Sequence, residues 1–147
     1  MKDSGHKYLI FTLKGRRYAL DLSQVAEVNE PPGTWPIPGA PSCYSGAMNF
    51  HGSIVAVLDL AAFLGIPGSH RQEKVIVLAP DIASLALLVE HVERTVPAAQ
   101  VRISDQVQKG DERISSRTLL LAEESVVLID AAELVSVAAE EIVVFNF

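Results

Sequence analysis

Apolar and polar side chains alternate with period two near the start of the chain: Leu9, Phe11 and Leu13 interleave with Ile10 and Thr12. Lys14-Gly15 is a turn pair, after which Tyr18, Leu20 and Leu22 resume the alternation, so the stretch predicts a β-hairpin. QVAEVNE predicts a further short strand. HGSIVAVLDL is a β-branched run ending at Asp59, which suits the N-cap of a short helix over AAFLG, stopped by Gly65 and Pro67. KVIVLAP and SLALLVEHVERTV predict two more strands around Pro80-Asp81, the second long enough to need a bend or bulge near Glu90-His91. TLLLAEESVVLIDAAELVSV predicts a hairpin through Glu123-Glu124. A helix follows it, with Asp130 at its cap and Glu133 three residues on. Residues 98–117 are polar and predict a loop, and the tail IVVFNF predicts a last strand.

Proline punctuates this pattern. PPGTWPIPGAP holds five of the eight prolines, which excludes helix and central strand and predicts an ordered loop. The glycines at 33, 39, 46 and 52 are expected as turn residues around it. GSHRQE, polar between apolar segments, is the expected internal boundary between two lobes. An internal echo supports two lobes: Ser53 to Leu64 (SIVAVLDLAAFL) resembles Ser125 to Leu134 (SVVLIDAAEL), each a buried strand capped into a helix by an aspartate. Such a unit cannot bury its apolar face alone, so the echo predicts two similar small β-barrels about a pseudo-twofold axis.

Composition narrows the function. A chain of 147 residues with 49 % hydrophobic content can build a sizeable core, yet no apolar run approaches the roughly 20 residues of a membrane span. MKDSGHKYLI lacks the features of a signal peptide, so the chain is expected in the cytoplasm. The net charge of −6 comes from the second half: residues 69–147 carry seven basic and thirteen acidic side chains, residues 1–68 five of each. An acidic chain without clustered cations argues against nucleic acid as partner.

Chemistry of the usual kinds has no constellation here. Cys43 and His51 are the only near nucleophile–base pair, without a local signature around them, and Cys43 is better read as a small buried hydrophobe. His6, His51, His70 and His91 show no i, i+4 spacing for a metal, and no phosphate-cradling glycine motif is present. The adjacent pairs Glu123-Glu124 and Glu140-Glu141 diverge from one another and make poor acid/base dyads. No cofactor, metal or catalytic residue is therefore assigned. Small barrels with strand edges and a Pro/Gly loop are instead suited to binding other proteins.

Two stretches, GRRYALDLSQVAEV and IPGAPSCYSGAMNFHGSIVAVLDLAAFLG, resemble the CheW-type coupling proteins of bacterial chemotaxis and related pathways. They follow the family patterns G-x-x-Y-[GA]-[IL]-[DP]-[IL]-x-x-V-x-E-[IV], [IL]-P-x-x-P and G-x-x-N-x-R-G-x-[IV]-[VL]-P-[IV]-x-[DN]-L, and the likeness runs from Tyr8 to about Val137. The resemblance implies an all-β fold with short helices: two interlocked five-stranded SH3-like barrels in one domain. One barrel is expected over about 18–68 plus 8–14, the other over 74–137, the two being intertwined.

It also implies a non-enzymatic adaptor joining chemoreceptor cytoplasmic tips to the regulatory domain of a CheA-type histidine kinase. The kinase would use the first barrel and a receptor helix the groove between barrels. Carried over, Val25, Glu27 and Val28 occupy the V-x-E-[IV] strand, Gly46 precedes the N-x-R-G motif, and Asn49 and Gly52 lie within it. The rival account makes Val25 and Val28 core residues and Gly46 and Gly52 backbone devices. Departures are His51 in place of the common Arg, Ala56 in place of a proline, and Ala86 and His91 in place of glycines. His51 exchanges a permanent forked cation for a smaller ring, and Ala86 adds a Cβ where a receptor helix would approach. These changes suggest a divergent member serving its own kinase and receptor set. A single-partner regulator without array contacts is the alternative. The apolar tail would fold back or form a homodimer through its strand.

Overall fold

The computed structural model describes residues 6–68, 71–107, 114, 117–122 and 124–145. Lys7–Leu13 (β1) and Arg16–Asp21 (β2) form the N-terminal hairpin. Lys14 and Gly15 turn it with φ of 51° and 80°, the left-handed pair that matches the twist of the flanking strands. A 3-10 turn at Leu22–Gln24 leads to β3 (Val25–Asn29). The proline loop follows, then β4 (Tyr44–Phe50) and β5 (Ser53–Asp59). Asp59 caps the four-residue helix α1 (Leu60–Phe63), accepting a hydrogen bond from Ala62 N at 3.2 Å. The second half comprises β6 (Lys74–Leu78), β7 (Leu85–Val89), β8 (His91–Pro97), β9 (Val101–Val107), β10 (Arg117–Leu121), β11 (Glu124–Leu128) and α2 (Ala131–Phe145).

Two sheets result, in the orders β8-β1-β2-β11-β10-β9 and β3-β6-β7-β5-β4. Across the first five strands of each order the pairings repeat as antiparallel, antiparallel, parallel, antiparallel. The parallel step joins β7 to β5 (Ala56 opposite Leu85) in one sheet and β2 to β11 (Val127 opposite Tyr18) in the other. The internal echo is thus structural: β5 and β11 hold equivalent places, and Asp130 Oδ1 accepts from Ala132 N at 2.9 Å where Asp59 caps α1. Each half of the chain contributes a hairpin, a lone strand and a second hairpin. The first hairpins are exchanged, so β1–β2 completes the sheet of β8, β10 and β11 while β6–β7 completes that of β3, β4 and β5. This exchange interlocks the two SH3-like barrels. It also draws the division elsewhere than the polar segment near residue 70, since β1 and β2 pair with the C-terminal strands and β6 and β7 with β3, β4 and β5.

The first sheet has a sixth strand. Residues 98–117, expected as loop, contain β9, which pairs antiparallel with β10 (Leu119 opposite Ile103). An edge strand needs no continuous apolar face, and Arg102 and Ile103 are exposed, which is why its composition did not announce it. Its counterpart in the other sheet is the proline loop, reduced to one bridge: Trp35 N donates to Ala47 O at 3.0 Å and Ala47 N to Trp35 O at 2.8 Å. The prolines lack the N–H groups that would extend that bridge into a strand. The C-terminal tail also differs from expectation. Helix α2 continues to Phe145 through the residues expected to form a strand, and 146–147 lie outside the described residues. A helix already nucleated over an Ala/Glu-rich stretch propagates readily into Ile142-Val143-Val144. The strand on which a homodimer was expected is not there.

The interior has three parts. Tyr8, Ile10, Ala19, Val96, Leu119, Leu121 and Val126 fill one barrel, and Met48, Val55, Val57, Val75, Val77, Ala86 and Leu88 fill the other. Between them lies the largest cluster, which includes Phe11, Leu20, Leu58, Phe63, Ile76, Leu87 and Leu134. Helix α2 lays Ala131, Leu134 and Ala138 onto it, and Cys43 is buried there as well. Burying each such large side chain contributes about 1.5–3 kcal/mol, so the shared core ties the barrels into one unit. Thr12 is the one buried polar residue among those described, at 6 % exposure. Its hydroxyl donates to Glu90 Oε1 at 2.8 Å, offsetting a desolvation cost of about 1–3 kcal/mol.

Candidate partner-binding surface

The positions assigned from sequence gather on the second sheet, at its two margins and the turn beside them. Val25, Glu27 and Val28 lie on β3, where a bulge between Val25 and Glu27 shifts the register against β6. Val25 and Val28 are half-buried and pack against the inter-barrel core, while Glu27 is exposed. On the other margin, Asn49, His51 and Gly52 build the β4–β5 turn. His51 and Gly52 adopt φ of 50° and 86°, and Asn49 Oδ1 accepts from Gly52 N at 3.0 Å. This repeats the Lys14-Gly15 geometry, so the N-x-H-G spacing is that of a left-handed two-residue turn with an asparagine clasp. Held in that turn, the His51 ring packs on Phe50 (centroids 4.3 Å apart) and its Nε2 lies 3.3 Å from Glu27 Oε1. Curling of the sheet therefore brings its opposite margins, β3 and β4, together. Lys74 Nζ, 2.6 Å from Glu30 Oε2, adds an ion pair just beyond the end of β3.

Gly46 and Ala86 are placed differently. Gly46 is not a turn residue but sits inside β4 at a bulge opposite β5, with φ of 144°. A Cβ there would run into the Trp35 carbonyl oxygen, so its glycine identity seats the proline loop on β4. Ala86 is fully buried inside the barrel, in the place that Ala19 holds in the other one. Its side chain faces the barrel interior, so it influences a partner only through packing. Two residues were not singled out from sequence: Ile54, 67 % exposed beside Asn49, and Trp35, 47 % exposed on the proline loop. Both lie in segments that read as strand and loop, and only the curvature leaves them outside. A lone apolar residue next to a polar turn was the available signal for Ile54.

Arg17 and its two glutamate partners serve the frame. Arg17 bonds Glu93 Oε1 at 2.8 Å and Glu124 Oε2 at 3.2 Å, joining β2 to β8 and β11. The Glu93 hydrogen bond, followed by the charges of Glu93 and Glu124, raises its pKa further above the usual guanidinium value. Burial pushes the Tyr44 phenol up to about 12, with Cys43 adding to the shift. Cys43 is buried in the inter-barrel core whereas the His51 side chain is 73 % exposed at a turn, so the two form no nucleophile–base pair. His6 pairs with Asp21 at 3.0 Å and His91 with Glu73 at 3.2 Å; His70 lies outside the described residues. Among the described residues no helix is long and apolar enough to cross a membrane.

The candidate surface is thus an exposed, turn-built one on one of two interlocked SH3-like barrels. The chain belongs to the CheW-like domain family, which it matches over residues 7–139. It is a non-enzymatic, CheW-like scaffold or adaptor of chemotaxis-type signal transduction. The chemotaxis protein CheW of Klebsiella aerogenes is 25 % identical over 132 residues, covering 81 % of this chain and 79 % of that protein. The chemotaxis protein CheW of Bacillus subtilis is 22 % identical over 133 residues, covering 87 % and 85 %. The crystal structure of scaffolding protein TtCheW from Thermoanaerobacter tengcongensis superposes with a TM-score of 0.73 at 23 % identity, covering 84 % of this chain and 88 % of that one, a likeness of fold.

Proposed function

We propose that this protein couples chemoreceptor cytoplasmic tips to a CheA-type histidine kinase, in the cytoplasm beneath the receptors, and docks the kinase regulatory domain on the second sheet. The observation that carries the placement is the meeting of Glu27 and His51 at 3.3 Å. It turns two sheet margins into one continuous surface, with half-buried Val25 and Val28 on one side and exposed Ile54 beside Asn49 on the other. Exposed and half-buried apolar side chains beside polar groups are a common make-up of a protein interface. Asn49 and Gly52 hold the turn, and Gly46 anchors the loop next to it. A receptor helix would use the groove between the two barrels.

Calorimetric titration with the regulatory domain of a cognate CheA-type kinase tests the reading, with Ile54→Arg as the exposed control. Binding by the wild type, weakened at least about ten-fold (about 1.4 kcal/mol) in the variant, supports it. No binding by the folded wild type sinks it. Binding to the kinase domain without binding to the receptor tip would instead favour a single-partner regulator, a reading that the replacement of a permanent cation by His51 supports.

A further inference from the structure

Among the described residues the chain passes between the two sheets at two places, from β2 to β3 and from β7 to β8. The second passage is a single residue, Glu90. Its Oε1 accepts from Thr12 Oγ1 at 2.8 Å and from Gly15 N at 2.9 Å, and its own N–H donates to Thr12 O at 3.1 Å. All three contacts hold the β1–β2 hairpin of the first sheet. Its carbonyl oxygen accepts from Glu73 N, just before β6 of the second sheet, at 3.2 Å, sharing that N–H with the Val89 carbonyl at 3.1 Å. The first passage is built alike: the Gln24 carbonyl accepts from Ala79 N, just past β6, at 2.9 Å, and its side-chain Oε1 accepts from Ala131 N, at the start of α2, at 3.3 Å. At each crossing one long polar side chain clasps a second element while the backbone carbonyl of the same residue grips the end of β6.

Apolar contact in the shared core is non-directional and tolerates small sliding of one barrel over the other, whereas hydrogen bonds fix an angle. We propose that Glu90, with Gln24 at the equivalent crossing, is a positioning residue that sets the angle between the barrels. It thereby fixes any surface to which both barrels contribute. A partner confined to one barrel is indifferent to this clasp; a partner spanning the groove depends on it. This second consequence rests on the function proposed above, and the first does not.

The orientation is measured on the protein alone, from amide residual dipolar couplings of the wild type, Glu90→Ala and Glu90→Gln. In Glu90→Ala the couplings of each barrel should still fit the original fold of that barrel, while one common alignment no longer fits both. Glu90→Gln keeps the accepting oxygen and should retain the wild-type orientation. Kinase-domain affinity of Glu90→Ala should stay within about two-fold of wild type, while affinity for a receptor-tip peptide falls at least about ten-fold. An unchanged common alignment in Glu90→Ala overturns the proposal. So does a parallel loss of fit within each barrel, which would make the residue a general support of the fold. If the wild type binds neither partner, the functional reading fails, and the orientation measurement still decides the role of Glu90.

Discussion

His51 Nε2 lies 3.3 Å from Glu27 Oε1, although the two residues sit at opposite margins of one five-stranded sheet. The side chains are 73 % and 43 % exposed, so solvent screens the pair and its contribution to stability is below about 1 kcal/mol. Its value lies in geometry, because it holds the β4–β5 turn against β3. Charge reversal separates the two effects. Glu27→Arg and His51→Glu should each leave the melting temperature within a few degrees of wild type and weaken kinase-domain binding. The double variant, which sets an Arg and a Glu across the same contact, should recover much of that affinity. Additive losses in the double-mutant cycle would show that the two residues do not act as a pair.

Gly46→Ala should be costly for a residue of its size. The backbone at φ of 144° and the Trp35 carbonyl oxygen both oppose a Cβ. Strain of this kind costs about 1–3 kcal/mol, and in a chain of this size each kcal/mol lowers the melting temperature by about 2–4 °C. Trp35 is the single tryptophan, so its fluorescence reports on the loop directly. A red shift together with a lower melting temperature is expected, and a melt superimposable on wild type would refute the close-approach account.

Tyr44 makes the fold sensitive to alkali. Its pKa is raised from 10.0 to about 12, chiefly by burial. Between these values the unfolded chain has lost the phenolic proton and the folded chain keeps it. The stabilisation is complete below pH 10 and drains away as pH rises through about 12. Chemical denaturation of wild type and Tyr44→Phe from pH 9 to 12 isolates this contribution from the other titrating groups. The wild type should lose stability more steeply, and parallel curves would exclude Tyr44 as the cause.

The regular elements were legible because their signals are local. Period-two alternation located β1 and β2, and the two aspartate caps located the starts of α1 and α2. The bend expected near Glu90 is the point where the chain changes sheets. Legibility failed where a residue's state depends on a distant neighbour. YSGAMNF is β4 because β5 pairs with it and Trp35 shields Gly46, and VRISDQV is β9 because β10 offers it an edge. IVVFNF has strand-like composition, yet the helix running into it decided its state through Phe145.

For the surface, sequence resemblance selected the β3 and β4–β5 segments, and Gly52 was expected as a turn residue. Sequence could not show that Glu27 meets His51, that Ile54 is exposed while Ala86 is buried, or that Glu90 clasps Thr12. Hydrophobic patterning determines which face of a strand is buried, and turn residues determine where the chain reverses; both are short-range properties of the sequence. Which hairpin completes which sheet is a long-range pairing, settled by the exchange of β1–β2 and β6–β7 and by the curl that joins margins far apart in the chain. Tertiary structure alone decided that, because it depends on all the strands packing at once around the shared core.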